Sequence, residues 1–163
     1  MEFKLHQIFS EIDPSTWNAL VQQSISDTPF SRHEYLSEWW KTLGGGEWKQ
    51  RVDGHPPLLV LVSARENDQL IGIAPLFIAD YNGQQALMLA GSIEISDYLD
   101  LIVREHDLPR FLSGLLDFLD SIEMQAGEPR PYPYGWIAID WYNIPDTSPT
   151  LSALKTESEK RDW

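Results

Sequence analysis

Two apolar runs in mid-chain, residues 58–64 and 70–79, limit the fold more than any other feature. The first reads Leu58-Leu59-Val60-Leu61-Val62-Ser63-Ala64 and lacks the apolar–polar alternation of a strand with one wet face. Such a run marks a strand covered on both sides. Asn67-Asp68-Gln69 supplies a turn, and the second run, 70–79, follows directly. Pro75 lies inside it and cannot donate to a sheet ladder, so an edge, a bulge or a strand break is expected there.

The flanking segments offer the helices that such strands need. Residues 3–9 open with alternation and read as a short first strand. Asp13-Pro14 reads as an N-cap followed by proline at the first helical position, with Trp17, Leu20 and Val21 on one face of a helix to about residue 24. Ser31 and Glu34 have capping-box spacing, Phe30 is placed to staple onto Tyr35, and Leu36, Trp39, Trp40 and Leu43 share a helical face that Gly44-Gly45-Gly46 ends. Downstream, Asn82-Gly83 signals a hairpin into a strand at 86–90, and a further strand is expected at 98–103. Asp107 is placed to cap a helix with the stripe Leu108, Phe111, Leu112, Leu115, Leu116, Leu119 and Ile122. A proline-rich stretch at 128–133 reads as an extended connector, 136–141 as a strand, and Ser148-Pro149 as the start of a last helix holding Leu151 and Leu154. Beyond Leu154 the stripe stops, so that helix is expected to fray or to continue into a longer polypeptide. The order predicts an α/β (α+β) architecture around one mixed sheet, in a single domain spanning the 163 residues.

Charge and missing motifs exclude several chemistries. Twelve Lys and Arg against 25 Asp and Glu leave a net charge of −13 and no basic stripe for nucleic acid. That charge reads as a solvated acidic surface able to steer cationic groups such as amines. No run approaches the ~18 apolar residues of a membrane span, and the first residues lack the pattern of a signal peptide, so a cytoplasmic location is expected. The chain has no cysteine, which excludes a disulfide scaffold, a thiol nucleophile and Cys-ligated zinc. Neither a glycine-rich phosphate loop, nor H-E-x-x-H, nor a G-x-S-x-G elbow occurs. The four histidines are dispersed, so no metal is expected.

Two clusters remain as candidate sites. In Ser96-Asp97-Tyr98-Leu99-Asp100, Asp97 could act as a base and Tyr98 as an acid at a strand end. The structural alternative has Asp97 capping a turn and Tyr98 packed with its hydroxyl bonded. The second cluster is aromatic. Adjacent residues on a helix point apart, so one of Trp39 and Trp40 is expected to face solvent or a partner, while most of the seven Trp pack in the core. Trp39, Trp40 and Asp100 are therefore the candidate substrate- or partner-binding residues.

The runs at 58–62 and 70–76, then Asp97-Tyr98-Leu99-Asp100-Leu101, Ile144-Pro145 and Ser148-Pro149-Thr150-Leu151, together resemble the N-terminal half of CelD-like proteins. Those proteins belong to the GNAT superfamily of N-acetyltransferases, and some are tied to cellulose biosynthesis. The upstream Pro29-Phe30-Ser31 and Trp39-Trp40 fit the same pattern, which covers roughly 17–154. The resemblance implies a GNAT-like, mainly antiparallel sheet flanked by helices. It also implies a protein of two lobes, with acyl-CoA chemistry in the second. This chain would be the first lobe, shaping the acceptor cleft and packing against a C-terminal catalytic lobe or a second copy, with an amine or glycan as acceptor. Acetyl-CoA or another acyl-CoA would serve the full-length family, and no cofactor is expected for this chain alone. Active members hold the CoA pyrophosphate on backbone N–H groups at a glycine-rich turn entering a helix. The matching turn here, Arg104-Glu105-His106-Asp107-Leu108-Pro109, has no glycine, carries two carboxylates and loses an N–H at Pro109. Two other readings stay open: a self-sufficient acyltransferase using Asp97 and Tyr98, and a glycan- or protein-binding module.

Overall fold

The computed structural model describes residues 1–91, 93–125 and 135–163. The expected connector at 128–133 lies outside the described residues. In chain order the elements are β1 (Glu2–His6), α1 (Pro14–Val21), α2 (His33–Leu43), β2 (Leu58–Glu66), β3 (Gln69–Tyr81), β4 (Gln84–Leu89), β5 (Ile102–Val103), α3 (Leu108–Gln125), β6 (Ala138–Asp140) and α4 (Pro149–Lys160). The described strands form one sheet in the order β1-β2-β3-β4-β6, with β5 pairing to β3. All pairs are antiparallel except β4 and β6, which run parallel with Leu87 opposite Ile139. This is the mixed, mainly antiparallel α+β architecture that the sequence predicts.

Both faces of the central strands are covered. Val60, Val62, Ala74, Leu76 and Ile78 face α3 and pack with Phe111, Leu112, Leu115 and Leu116. The alternate residues, Leu59, Leu61, Ile73 and Phe77, pack with Trp17 and Leu20 of α1 and with Leu36 and Trp39 of α2. The uninterrupted hydrophobicity of 58–64 therefore follows from a strand with no wet side.

Pro75 sits where β3 changes partner. Residues 76–81 of β3 pair with β4, whereas 72–73 pair with β5. The Pro75 carbonyl accepts the Ala90 N–H at 2.7 Å, so the nitrogen of the same extended residue faces the gap between β4 and β5. The missing N–H costs no ladder bond there. Two hairpins link β2, β3 and β4, and both turn on residues of positive φ: Asn67 and Asp68, then Asn82 and Gly83.

Local signals held in part. Asp13 caps α1, accepting from the Thr16 N–H, with Pro14 at the first helical position. The helix ends at Val21, three residues early, and β1 ends at His6 because Phe9 opens a 3₁₀ turn. The capping box of α2 does not form. Its N-cap is Arg32, Ser31 bonds Ser26 instead, and Glu34 accepts from Asn18 of α1. Phe30 does meet Tyr35, edge to face at 5.4 Å, and Gly44 ends the helix with φ 55°. Leu43, expected on the buried face, is exposed. The strand expected at 98–103 shrinks to Ile102–Val103, because 97–101 is held by the Asp100 side chain and by a lone backbone bond from Leu99 N–H to the Asn143 carbonyl instead of a ladder. The strand expected at 136–141 shrinks to Ala138–Asp140.

The last helix is anchored by ions where its apolar stripe stops. Ser148 caps it by accepting from Thr150 N–H. At its other end the buried Glu157 carboxylate takes Lys160 at 2.6 Å and also Arg161, whose Nη2 reaches Asp117 of α3 at 2.6 Å and the Ser113 carbonyl at 3.1 Å. A hydrophobic period cannot announce an anchor made of charge. Among the described residues no helix is long and apolar enough to cross a membrane.

Gly72 is the tightest point of the α3 face. A Cβ there would stand 2.5 Å from the ring of Phe111, which is fully buried. Gly72→Ala is therefore expected to destabilise the protein by about 1–3 kcal/mol, read as a lower urea midpoint. An unchanged midpoint would show that the ring can move aside.

Candidate functional site

The segment from Ile93 to Leu101 is a loop held firmly from behind. The Tyr35 hydroxyl of α2 lies 2.8 Å from Ser96 Oγ and 3.2 Å from the Ile95 carbonyl. Asn143, which adopts positive φ, donates to the Ser96 and Ile93 carbonyls and accepts the Leu99 N–H at 2.9 Å. Ser96 is thereby fully buried, while Ile93, Ile95, Asp97 and Tyr98 point out. The Asp97 and Tyr98 side chains have no hydrogen-bond partner among the described residues. They are therefore not the packed, bonded pair of the structural alternative.

Asp100 faces inward. It is 5% exposed, and its carboxylate accepts from its neighbour's Leu101 N–H at 2.7 Å, from the Thr150 hydroxyl at 2.6 Å and from the Ser148 hydroxyl. It ties the loop to the first turn of α4, and all its bonds are internal. Burial pushes its carboxyl above the usual range, against the pull of those donors.

The aromatic cluster is also largely internal. Trp39 and Trp40 leave the helix in different directions, yet both indoles reach Phe77 of β3, at 5.8 and 5.9 Å between centroids. Trp48 meets the same ring at 5.8 Å and stacks on Tyr142 at 4.9 Å. Trp39 is buried and Trp40 half-buried, so little of this cluster offers a flat face to a ligand. The Tyr142 hydroxyl lies 2.8 Å from the carbonyls of Leu89 and Gly91, fastening the end of β4.

The turn entering α3 is a closed ionic knot. The Asp107 carboxylate, 4% exposed, lies 2.6 Å from Arg110 Nη2, 3.3 Å from His106 Nε2 and 3.9 Å from Arg104 Nη1. Arg110 also holds both oxygens of Glu66 on β2 at 3.0 Å. Of the two carboxylates in this turn, Asp107 is buried and Glu105 is exposed. Asp107 belongs to a 3₁₀ turn preceding the helix, and its bonds are to cations.

A feature absent from the sequence reading is a groove of about 740 Å³ between β6, α4 and α3. Trp136, Ile137, Leu151, Leu154 and Trp163 form its apolar lining, with Asp120 and Lys155 beside them. Apart from Asp120 its lining lies within 136–163, but it takes the packing of β6 and α4 on α3, and not a sequence spacing, to bring those residues to one groove. No protein-family model matches this chain, and neither a curated protein nor a solved structure matches it.

Truncating the inward and outward members of the loop should have opposite outcomes. Asp100→Ala leaves two hydroxyls orphaned and is expected to cost about 1–3 kcal/mol, whereas Asp97→Ala and Tyr98→Phe stay within about 0.5 kcal/mol. Urea denaturation checks both. The pH dependence has a definite sign. A carboxyl raised by folding binds its proton more tightly folded than unfolded, so its contribution favours the native state as pH falls. The unaltered protein should gain stability relative to Asp100→Asn between about pH 7 and about pH 4. An opposite slope would mean that the hydroxyl donors outweigh burial.

Proposed function

We propose that this chain is the non-catalytic lobe of a GNAT-type N-acyltransferase, shaping the acceptor cleft and packing on a catalytic lobe. The knot at Asp107 carries the reading. A coenzyme A diphosphate needs free backbone donors and uncompensated positive potential at a helix start. Here a carboxylate already sits between the guanidinium groups of Arg104 and Arg110, and Arg110 is shared with a second carboxylate, Glu66. A diphosphate arriving there would meet like charge in a partly dry site and would have to displace Asp107 from its partners. The mixed sheet with helices on both faces agrees with the architecture that the resemblance implies. The outward loop at 93–98 supports a role in lining a cleft. It is held rigid by Tyr35 and Asn143 while presenting Ile95, Asp97 and Tyr98 to whatever lies opposite.

The self-sufficient acyltransferase and the glycan-binding module draw less support. Asp97 and Tyr98 are exposed, with no side-chain hydrogen bond to any described residue to orient them, and the tryptophans make ring contacts with Phe77 and Tyr142.

Isothermal titration of the chain with acetyl-CoA should give no saturable heat at millimolar ligand. Single-site binding in the micromolar range, with acetyl transfer to an added amine, would overturn the reading. Oligosaccharides at similar concentrations should leave the tryptophan emission unchanged.

A further inference from the structure

At the β1–β2 edge, on the sheet face that carries α1 and α2, three polar side chains form a hydrogen-bonded line. His6 ends β1, Ser63 lies within β2, and Glu11 sits in the 3₁₀ turn that follows β1. His6 Nε2 is 2.8 Å from Ser63 Oγ, and His6 Nδ1 is 3.3 Å from Glu11 Oε2. The other Glu11 oxygen accepts the Gln7 N–H at 3.0 Å.

The direction of each bond follows from the chemistry of the three groups. The Gln7 N–H and the His6 ring hold the Glu11 carboxyl below its usual range, so it is ionised and can only accept. His6 Nδ1 must then donate, which leaves the Nε2 lone pair toward Ser63, and the Ser63 hydroxyl must donate to it. Burial, reinforced by the charges of Lys4 and Arg65, lowers the His6 pKa, so the ring is neutral near pH 7. A serine hydroxyl on the lone pair of a neutral imidazole, itself oriented by a carboxylate, is an activated nucleophile.

The line also has room for a reactant. Ser63, His6 and Glu11 border a cavity of about 150 Å³, together with Ile12, Lys4, Arg65 and Glu2. At about 30 Å³ for each water-sized group, that volume holds about five such groups, room for an acetyl-sized acyl group.

We propose that Ser63, His6 and Glu11 form a nucleophilic site for esters of small acyl groups. Ser63 Oγ attacks the ester carbonyl carbon and forms the new C–O bond as its proton passes to His6 Nε2. Lys4 and Arg65 supply positive charge toward the resulting oxyanion. When the tetrahedral species collapses, the bond to the leaving oxygen breaks and His6 returns the proton to it. Water then attacks the acyl-Ser63 ester, gives a proton to His6, and releases the acid as that proton returns to Ser63 Oγ. Glu11 is a positioning residue that fixes the tautomer of His6. The proposal does not depend on the acyltransferase reading, which would survive its failure.

Incubation of the full chain with a small-alkyl fluorophosphonate, followed by peptide mass mapping, tests it directly. One adduct is expected, on Ser63. In parallel, Ser63→Ala should remove the adduct and slow p-nitrophenyl acetate hydrolysis by about a hundredfold. Glu11→Gln should slow hydrolysis and move the acid limb of its pH profile to lower pH, because without the carboxylate charge the imidazolium forms less readily. An unlabelled Ser63 in the unaltered, folded protein overturns the proposal whatever the variants do. Hydrolysis that Ser63→Ala leaves unchanged overturns it as well.

Discussion

The pairing of β2 with β3 leaves neither strand a wet face, and the rest of the structure answers that constraint. Leu59, Leu61 and Phe77 need a cover on one side, and Val60, Val62 and Leu76 need another. Helices α1 and α2 supply the first cover and α3 the second. The close approach of α3 is possible because Gly72 offers no Cβ to Phe111. Hydrophobic burial sets this layering, because each fully buried aliphatic side chain is worth about 1.5–3 kcal/mol and two layers of them converge on the same pair of strands.

Carboxylates then fix the ends that the apolar layers leave loose. Asp107 and its arginines hold the start of α3 to β2, Asp100 holds the 97–101 loop to the start of α4, and Glu157 with Arg161 holds the end of α4 to α3. In a chain of net charge −13 these three acids are distinguished by being buried and partnered while most of the others face water. The same device that stiffens the fold closes the helix start where an anion would bind. Structural ion pairing and the proposed scaffold role are thus one feature seen from two sides.

What the sequence revealed and what it hid divide along a physical line. Period and turn chemistry are local, so 58–64, the Asn82-Gly83 hairpin, the Asp13 and Ser148 caps and the stripe of α3 were legible. The capping box of α2 failed because Glu34 found Asn18 on another helix, a contact without a local signature. The strand expected at 98–103 is cut to Ile102–Val103 because Asp100, a candidate substrate- or partner-binding residue by sequence, turns inward to two hydroxyls at the start of α4 some fifty residues away. Trp39 and Trp40 converge on Phe77 because indoles are long enough to offset the angle between neighbouring helical positions. His6, Ser63 and Glu11 escaped notice for a similar reason: the register of β1 on β2 and a 3₁₀ turn bring them together, and no spacing rule joins positions 6, 11 and 63.

The claim that the α3 start is internally neutralised can be read at that place alone. Inorganic pyrophosphate is titrated into isotopically labelled protein while the backbone amides of residues 105–108 and 110 are followed by NMR. The account predicts that those resonances stay within the small uniform drift caused by added salt. Saturable shifts confined to that turn, with the Arg110 side chain released from Asp107, would contradict it.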